Sequence, residues 1–258
     1  MQRSVSFVQA QGQRLEYVEI PAREPERPEL LFLHEGLGSV SLWRDFPERL
    51  AEATGCRAIV YSRWGFGRSE PRRAPYTERF MHEEAFGFVP EIRARLGIRQ
   101  PVLVGHSTGA SMALLHASRH RDVAGVIAMA PFVFVEDSNV ASIAATTARF
   151  PELRERLARH HDDVDAMFEG WSALWLDPAF RRWNIEAEAA LIRCPILAMV
   201  GDRDEYCTRT QLERLAAAAT SSPHVEVLYL TDCGHAPHRD QLDIVLGASV
   251  HFIQLLGN

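Results

Sequence analysis

Gly105-His106-Ser107-Thr108-Gly109 sets a serine between two glycines in the spacing G-x-S-x-G. The apolar run Val102-Leu103-Val104 precedes it, and a helical pattern over residues 110–120 follows. A serine on a sharp strand-to-helix turn is strained, and small residues two before and two after it let strand and helix approach closely. The hydroxyl then stands proud of the sheet edge above a helix N-terminus. Ser107 is therefore a candidate nucleophile. A hydroxyl at its free pKa is a poor one, so it needs a base and a group to orient that base. Two other strand ends offer them. Gly201-Asp202-Arg203-Asp204 follows the apolar run 196–200, and Cys233-Gly234-His235 follows the run 225–230. His235 is the candidate base, and Asp204 and Asp202 are the candidate acids. Sites of parallel sheets gather at such strand ends.

These residues must be positioned by a longer alternation of elements. Val5 and Phe7 alternate with polar neighbours, Gln11-Gly12 turns the chain, and Leu15 and Tyr17 alternate again. That predicts an antiparallel hairpin. A charged, proline-rich connector covers residues 21–28. Strands are expected at 30–34, 57–62, 101–106, 123–130, 194–201 and 225–230. Helices are expected at 42–53, 77–96, 108–120, 208–219 and 241–256, with Gly87 and Pro90 kinking or splitting the second. Short apolar strands alternating with helices mean an α/β fold, with a mostly parallel central sheet and helices on both faces. Residues 132–190 break the pattern. They show no strand signal, while Val164, Met167, Phe168, Trp171, Leu174 and Trp175 recur at helical spacing. We read them as a helical cap inserted into one core of residues 1–131 and 191–258. The aromatic stripe is first of all packing. Phe168, Trp171 and Trp175, with Leu37, are also candidates to line a substrate pocket under the cap.

Composition narrows the chemistry. The chain has 258 residues, 47% hydrophobic and 24% charged, enough for an α/β core without disulfide or metal staples. All 28 basic residues are arginine. The absence of lysine excludes Schiff-base chemistry, lysine-anchored pyridoxal phosphate and P-loop nucleotide hydrolysis. The net charge of −6 opposes nucleic-acid binding and gives no general basic field for polyanionic substrates. The four cysteines are scattered singly, without a C-x-x-C pair, as expected of reduced thiols in a cytoplasmic protein. Residues 1–10 lack a signal pattern, and the longest apolar stretch, 125–135, is too short for a bilayer. No membrane partner is expected. His160-His161-Asp162-Asp163 has metal-ligand residue types, but adjacent helical residues face different ways, so a solvated polar face is expected and no metal site.

With these motifs in order, the chain resembles the α/β-hydrolase superfamily, in its capped, single-domain form. The resemblance runs from residue 30 to the last helix. It rests on His34-Glu35-Gly36-Leu37-Gly38-Ser39, Gly65-Phe66-Gly67-Arg68-Ser69, the Ser107 motif, the Asp204 motif and Gly234-His235. The chain order Ser, Asp, His is that family's, unlike the order in chymotrypsin or subtilisin. The family's acid stands three residues after the glycine. The resemblance thus favours Asp204 and leaves Asp202 as a turn or helix-capping carboxylate. It also implies an oxyanion hole from the Thr108 and Gly36 amides, with Leu37 as fallback for the second. Two positions depart from the pattern. Glu35 stands where glycine usually follows the histidine, and Ser62 ends a strand that usually ends in aspartate. Glu35 is expected to point sideways and pair with an arginine such as Arg63. His238 and Arg239 read as helix-start residues.

The resemblance implies a serine hydrolase of small carboxylic esters, thioesters or lactones, working through an acyl-enzyme with no cofactor. Carbon–carbon bond hydrolases, perhydrolases, acyltransferases and lyases share that site. The tryptophan that often follows the histidine in carbon–carbon hydrolases is Ala236 here, and Ser107 excludes aspartate-nucleophile dehalogenases and epoxide hydrolases. A non-catalytic small-molecule binding protein is the rival of another class; such relatives often lose triad members, and all three are present. The expected partner is a small-molecule substrate, and the chain is read as a monomer or homodimer.

Overall fold

Val5–Ala10 (β1) and Gln13–Ile20 (β2) pair antiparallel across Gln11-Gly12. Both turn residues take positive φ, 50° and 73°, as the tight turn between twisted strands requires. The computed structural model describes residues 4–256. The first three residues of the segment read for a leader, and the outer ends of the predicted core, lie outside them.

Five runs are buried along their whole length: Leu30–Leu33 (β3), Ala58–Tyr61 (β4), Val102–His106 (β5), Gly125–Met129 (β6) and Ile196–Gly201 (β7). Strands covered on both faces need no polar alternation. Val225–Leu230 (β8) is partly exposed at the sheet edge. The eight strands lie in the order β1-β2-β4-β3-β5-β6-β7-β8. All pairings from β4 to β8 are parallel. Alternate residues of one strand serve two core layers. Phe32 meets Trp43 edge-on at 5.2 Å on one face, while Leu31 and Leu33 join the cluster on the other.

The helices follow the expected order with two changes of detail. The expected helix at 42–53 is a 3-10 turn at Val40–Trp43 and then Phe46–Thr54 (α1), because Pro47 starts a fresh helix and Arg44 between them has φ 54°. The expected kink at 77–96 is a wide π turn, Glu84–Phe88, joining Phe80–Glu83 (α2) to Val89–Leu96 (α3). Pro90 falls in the first turn of α3, where its missing N–H costs little. Thr108–Arg119 (α4) follows β5. Between β6 and β7 lie Asp137–Ala148 (α5), Phe150–Ala158 (α6), Val164–Leu176 (α7) and Glu186–Ala189 (α8). Arg209–Ala218 (α9), Pro237–Asp240 (α10) and Leu242–Leu255 (α11) complete the chain.

The helices between β6 and β7 are tied to the rest of the molecule in two places, near their base and between α6 and α7. At the base, Ile185 N–H donates to Val133 O at 2.8 Å. The buried face of α7 packs Trp175 edge-on against Phe132 and Phe180, both at 5.1 Å. In the middle stands His161, between α6 and α7. The expectation of a solvated polar face is wrong here, because His161 is buried. Its Nδ1 accepts from Gly67 N–H at 3.0 Å, and its Nε2–H donates to Leu37 O at 3.0 Å. Both bonds use the neutral imidazole, and burial lowers its pKa to about 4.

That value fixes a pH dependence. Below its ordinary pKa of about 6.5 the unfolded chain binds a proton that the folded chain refuses. Stability from His161 is present above that value and is lost as pH falls toward the folded value of about 4. A glutamine can make both hydrogen bonds without titrating. Denaturant melts of His161→Gln between about pH 7 and about pH 5 should therefore lose about 2 kcal/mol less than wild type. An equal loss in both proteins would show that this imidazole is not the titrating link.

Candidate active site

The β5–α4 turn is built for close approach. Ser107 has φ 55° and ψ −123°, a region that a non-glycine residue enters only under constraint. Its N–H donates to Met129 O at 2.8 Å, and its carbonyl accepts from Ala110 N–H at 2.9 Å. The two glycines are sterically required. A Cβ on Gly105 would come within 2.4 Å of the Ala110 Cα, and one on Gly109 within 2.0 Å of the Leu33 carbonyl oxygen.

The β7 and β8 ends bring the other two groups to this turn. His235 Nε2 lies 3.0 Å from Ser107 Oγ, and His235 Nδ1 lies 2.8 and 2.9 Å from the two Asp204 oxygens. With Nδ1–H donating to the carboxylate, Nε2 is left to accept the serine proton. The Asp204 side chain is fully buried, and its Oδ1 also accepts from the Tyr206 and Cys207 amides at 2.8 and 2.9 Å. Asp202 does different work. Its Oδ1 accepts from Cys233 N–H at 3.2 Å and braces the β7 loop against the loop that carries His235.

The segment after β3 supplies free amides. Among the described residues, the N–H groups of Gly36, Leu37 and Thr108 donate to no protein acceptor, and all three residues line the cavity that contains Ser107. Gly36 must be glycine, since a Cβ there would meet Trp171 Nε1 at 2.4 Å.

Glu35 corrects an expectation. Arg63 does not pair with its carboxylate. The buried Arg63 guanidinium donates to the His34 carbonyl and, at 3.0 Å, to the Glu35 carbonyl, and so holds the loop by its backbone. The Glu35 carboxylate instead faces His106 Nδ1 at 3.5 Å and Arg239 at 3.8 Å. Burial opposes its ionisation, but His106 and Arg239 outweigh burial and hold the carboxyl well below its ordinary range. His106 in turn approaches the His235 carbonyl through Nε2 at 2.5 Å. His238 and Arg239 do lie in a short helix, α10, but His238 is buried against Trp43.

The missing aspartate at Ser62 is replaced from elsewhere. Ser62 Oγ donates to Glu16 Oε2 at 2.7 Å and accepts from Val40 N–H at 2.9 Å. The buried Glu16 carboxylate also takes Arg68 N–H at 2.9 Å. Sequence reading missed Glu16, which stands between Leu15 and Tyr17 on β2 and reads there as a solvent-facing residue.

Ser107, Thr108, His235, Gly36, Leu37, Trp171 and Trp175 share one cavity of about 430 Å³. Its walls include Phe132, Ile143, Leu157 and Tyr206, none of which carries a sequence signal. Phe168 is not in that lining; it stacks on Phe150 at 3.9 Å and tilts against Trp171. A larger cleft of about 650 Å³, along α7 and the loop at 72–78, contains none of Ser107, Asp204 and His235.

Comparison with known proteins places this arrangement in a family. The model of the alpha/beta hydrolase family matches residues 30–248. A search of curated proteins returns no match. Among solved structures, the chain is similar to a membrane phospholipase A described as a bacterial virulence factor, with TM-score 0.79, 21% identity, and coverage of 99% of this chain and 87% of that one. It is similar to an enol-lactonase from Burkholderia xenovorans, with TM-score 0.75, 20% identity, and coverage of 96% and 100%. A meta-cleavage product hydrolase from Pseudomonas fluorescens gives TM-score 0.72, 17% identity, and coverage of 96% and 97%. At those identities the likeness is one of fold. The family match spans β3 to α11 and every residue of the Ser107–His235–Asp204 chain, and the protein belongs to the alpha/beta hydrolase family.

Proposed function

We propose that the protein is a serine hydrolase of small carboxylic esters, thioesters or lactones. The unbroken hydrogen-bond chain from Ser107 through His235 to Asp204, opening on a cavity with free amides, carries this reading. Ser107 Oγ attacks the carbonyl carbon while His235 Nε2 takes its proton. Asp204 stabilises the imidazolium that forms. The carbonyl oxygen becomes an oxyanion, and the amides of Thr108 and of Gly36 or Leu37 are free to bind it. His235 then gives the proton to the leaving group, which departs and leaves an acyl-enzyme. Water, deprotonated by His235, attacks the acyl carbon and releases the acid and Ser107. Residues 132–190 act as a cap on a core of residues 1–131 and 191–258, and Trp171 and Trp175 form part of the acyl wall.

A fluorophosphonate probe should label the wild type at Ser107, and Ser107→Ala should abolish both labelling and ester turnover. Labelling that persists in the variant would overturn the assignment. Asp204→Asn should lower kcat by about 10³–10⁴-fold, because the imidazole loses its working tautomer. Asp202→Asn, which only loosens a loop brace, should cost far less; the reverse ranking would identify Asp202 as the acid.

The wall has its own test. Each methylene that fits an apolar cavity is worth about 0.8 kcal/mol, so kcat/KM should rise over the first few acyl carbons and then fall. Trp171→Ala should move that optimum to longer chains while Ser107 still labels. A chain-length profile unchanged in Trp171→Ala would place the acyl chain elsewhere. Trp175 is almost fully buried among Phe132 and Phe180, so Trp175→Ala should also cost about 3–5 kcal/mol of stability in a denaturant melt.

A further inference from the structure

The rim of the Ser107 cavity carries charge that the proposed reaction does not use. Arg44, Arg156, Arg239 and His160 line it, together with Ser41. They come from separate elements: Arg44 from the bend before α1, Arg156 from α6, His160 from the turn after it, and Arg239 from α10. Burial and then the charges of Arg239, Arg159, Arg44 and Arg156 push the His160 pKa down. His160 Nδ1 meets Ser41 Oγ at 2.8 Å.

Two of these cations, Arg44 and Arg156, lack the counter-charges found elsewhere on the surface, while Arg239 faces Glu35 at 3.8 Å. Arg154, on the same helix as Arg156, pairs with Asp165 at 2.5 Å, and Arg149 pairs with Glu152 at 3.1 Å. Among the described residues, Arg44 and Arg156 pair with no carboxylate. Arg44 is held at φ 54°, outside the ordinary range of an arginine. Arg239 donates to the Leu42 carbonyl, yet its Nε is buried without an acceptor among the described residues. Two acids share the lining. Glu35 is engaged with His106 and Arg239, and Glu205 belongs to the loop that carries Asp204. Guanidiniums that line one cavity repel one another unless an anion sits among them, and their planar forks match carboxylate and phosphate oxygens.

We propose that this rim is an anion subsite, which holds a carboxylate or phosphate carried by the substrate while the apolar wall takes the chain leading to the scissile carbonyl. The inference rests on the reading of the site as a serine hydrolase. It also refines the expectation drawn from net charge. The whole chain is at −6, but the rim of this cavity is locally positive.

The test compares three esters of one length: the ethyl half-ester of adipic acid, its neutral isostere with isopropyl in place of the carboxylate, and the analogue with phosphonate in that place. Wild type should favour the charged esters in kcat/KM by about tenfold or more. In Arg44→Gln/Arg156→Gln that ratio should fall by about the same factor, with Ser107 still labelled by the fluorophosphonate and the fold intact by circular dichroism. Raising the salt should shrink the wild-type ratio, since exposed charges are screened. A higher rate with phosphonate than with carboxylate assigns the group as phosphate-like, and the reverse order assigns it as a carboxylate. An equal ratio in wild type and the double variant would overturn the subsite. Calorimetric titration with adipate separates the two ideas. If no ester is cleaved and Ser107 does not label, the hydrolase reading fails. Adipate binding that weakens about tenfold in the double variant would still support the subsite, and equal or absent binding would overturn it.

Discussion

The site depends on one backbone conformation. Ser107 sits at φ 55° and ψ −123°, where a serine does not rest unaided. Such a conformation costs on the order of 1–3 kcal/mol and persists only where its surroundings over-determine it. They do so here from three directions. β6 takes the Ser107 N–H, α4 begins on the Ser107 carbonyl, and the bare faces of Gly105 and Gly109 admit helix and strand backbones at distances that a side chain would forbid. Because Gly109 lies against the Leu33 and His34 carbonyls, the same contact fixes where β3 ends. The segment with the free amides starts at that point. The position of the hydroxyl and that of its candidate oxyanion donors are thus set by one packing event.

The loop beyond β3 is held by buried charge. Arg63 grips two loop carbonyls, and His34 bridges the Arg63 amide and the Glu35 carbonyl at 3.0 and 2.8 Å. Glu16 reaches across from β2 to complete the Ser62 and Arg68 region. A carboxylate beside a developing oxyanion would oppose it. The Glu35 carboxylate faces His106 and Arg239; the guanidinium offsets its charge, and the two contacts link the loop to α10 and to the His235 carbonyl.

Much of this was legible in the sequence because each signal was local. The strand–serine–helix motif, the Asp204 and His235 strand ends and the apolar strands of a two-sided sheet all report on neighbours along the chain, and the sheet and the Ser107–His235–Asp204 geometry agree with them. What the sequence concealed was non-local. Glu16 alternates like a surface residue and becomes interior only because Ser62 and Arg68 arrive beside it. His161 looked like part of a polar run until Gly67 and Leu37 gave both its nitrogens partners. Phe168 shares a helical stripe with Trp171, yet its ring is taken by Phe150. The net charge averages over a surface on which Arg44, Arg156 and Arg239, from distant segments, line one cavity.

The His161 bridge constrains how residues 132–190 can evolve. The imidazole completes the hydrogen bonding of two core loops, taking the Gly67 amide and capping the Leu37 carbonyl. The Leu37 amide is also one of the candidate oxyanion donors. The helices between β6 and β7 are therefore not interchangeable at will. A replacement segment without a buried donor and acceptor at the His161 position would leave the Gly67 amide and the Leu37 carbonyl unmatched, so new specificities should arise by substitution along the cavity wall rather than by replacement of the segment.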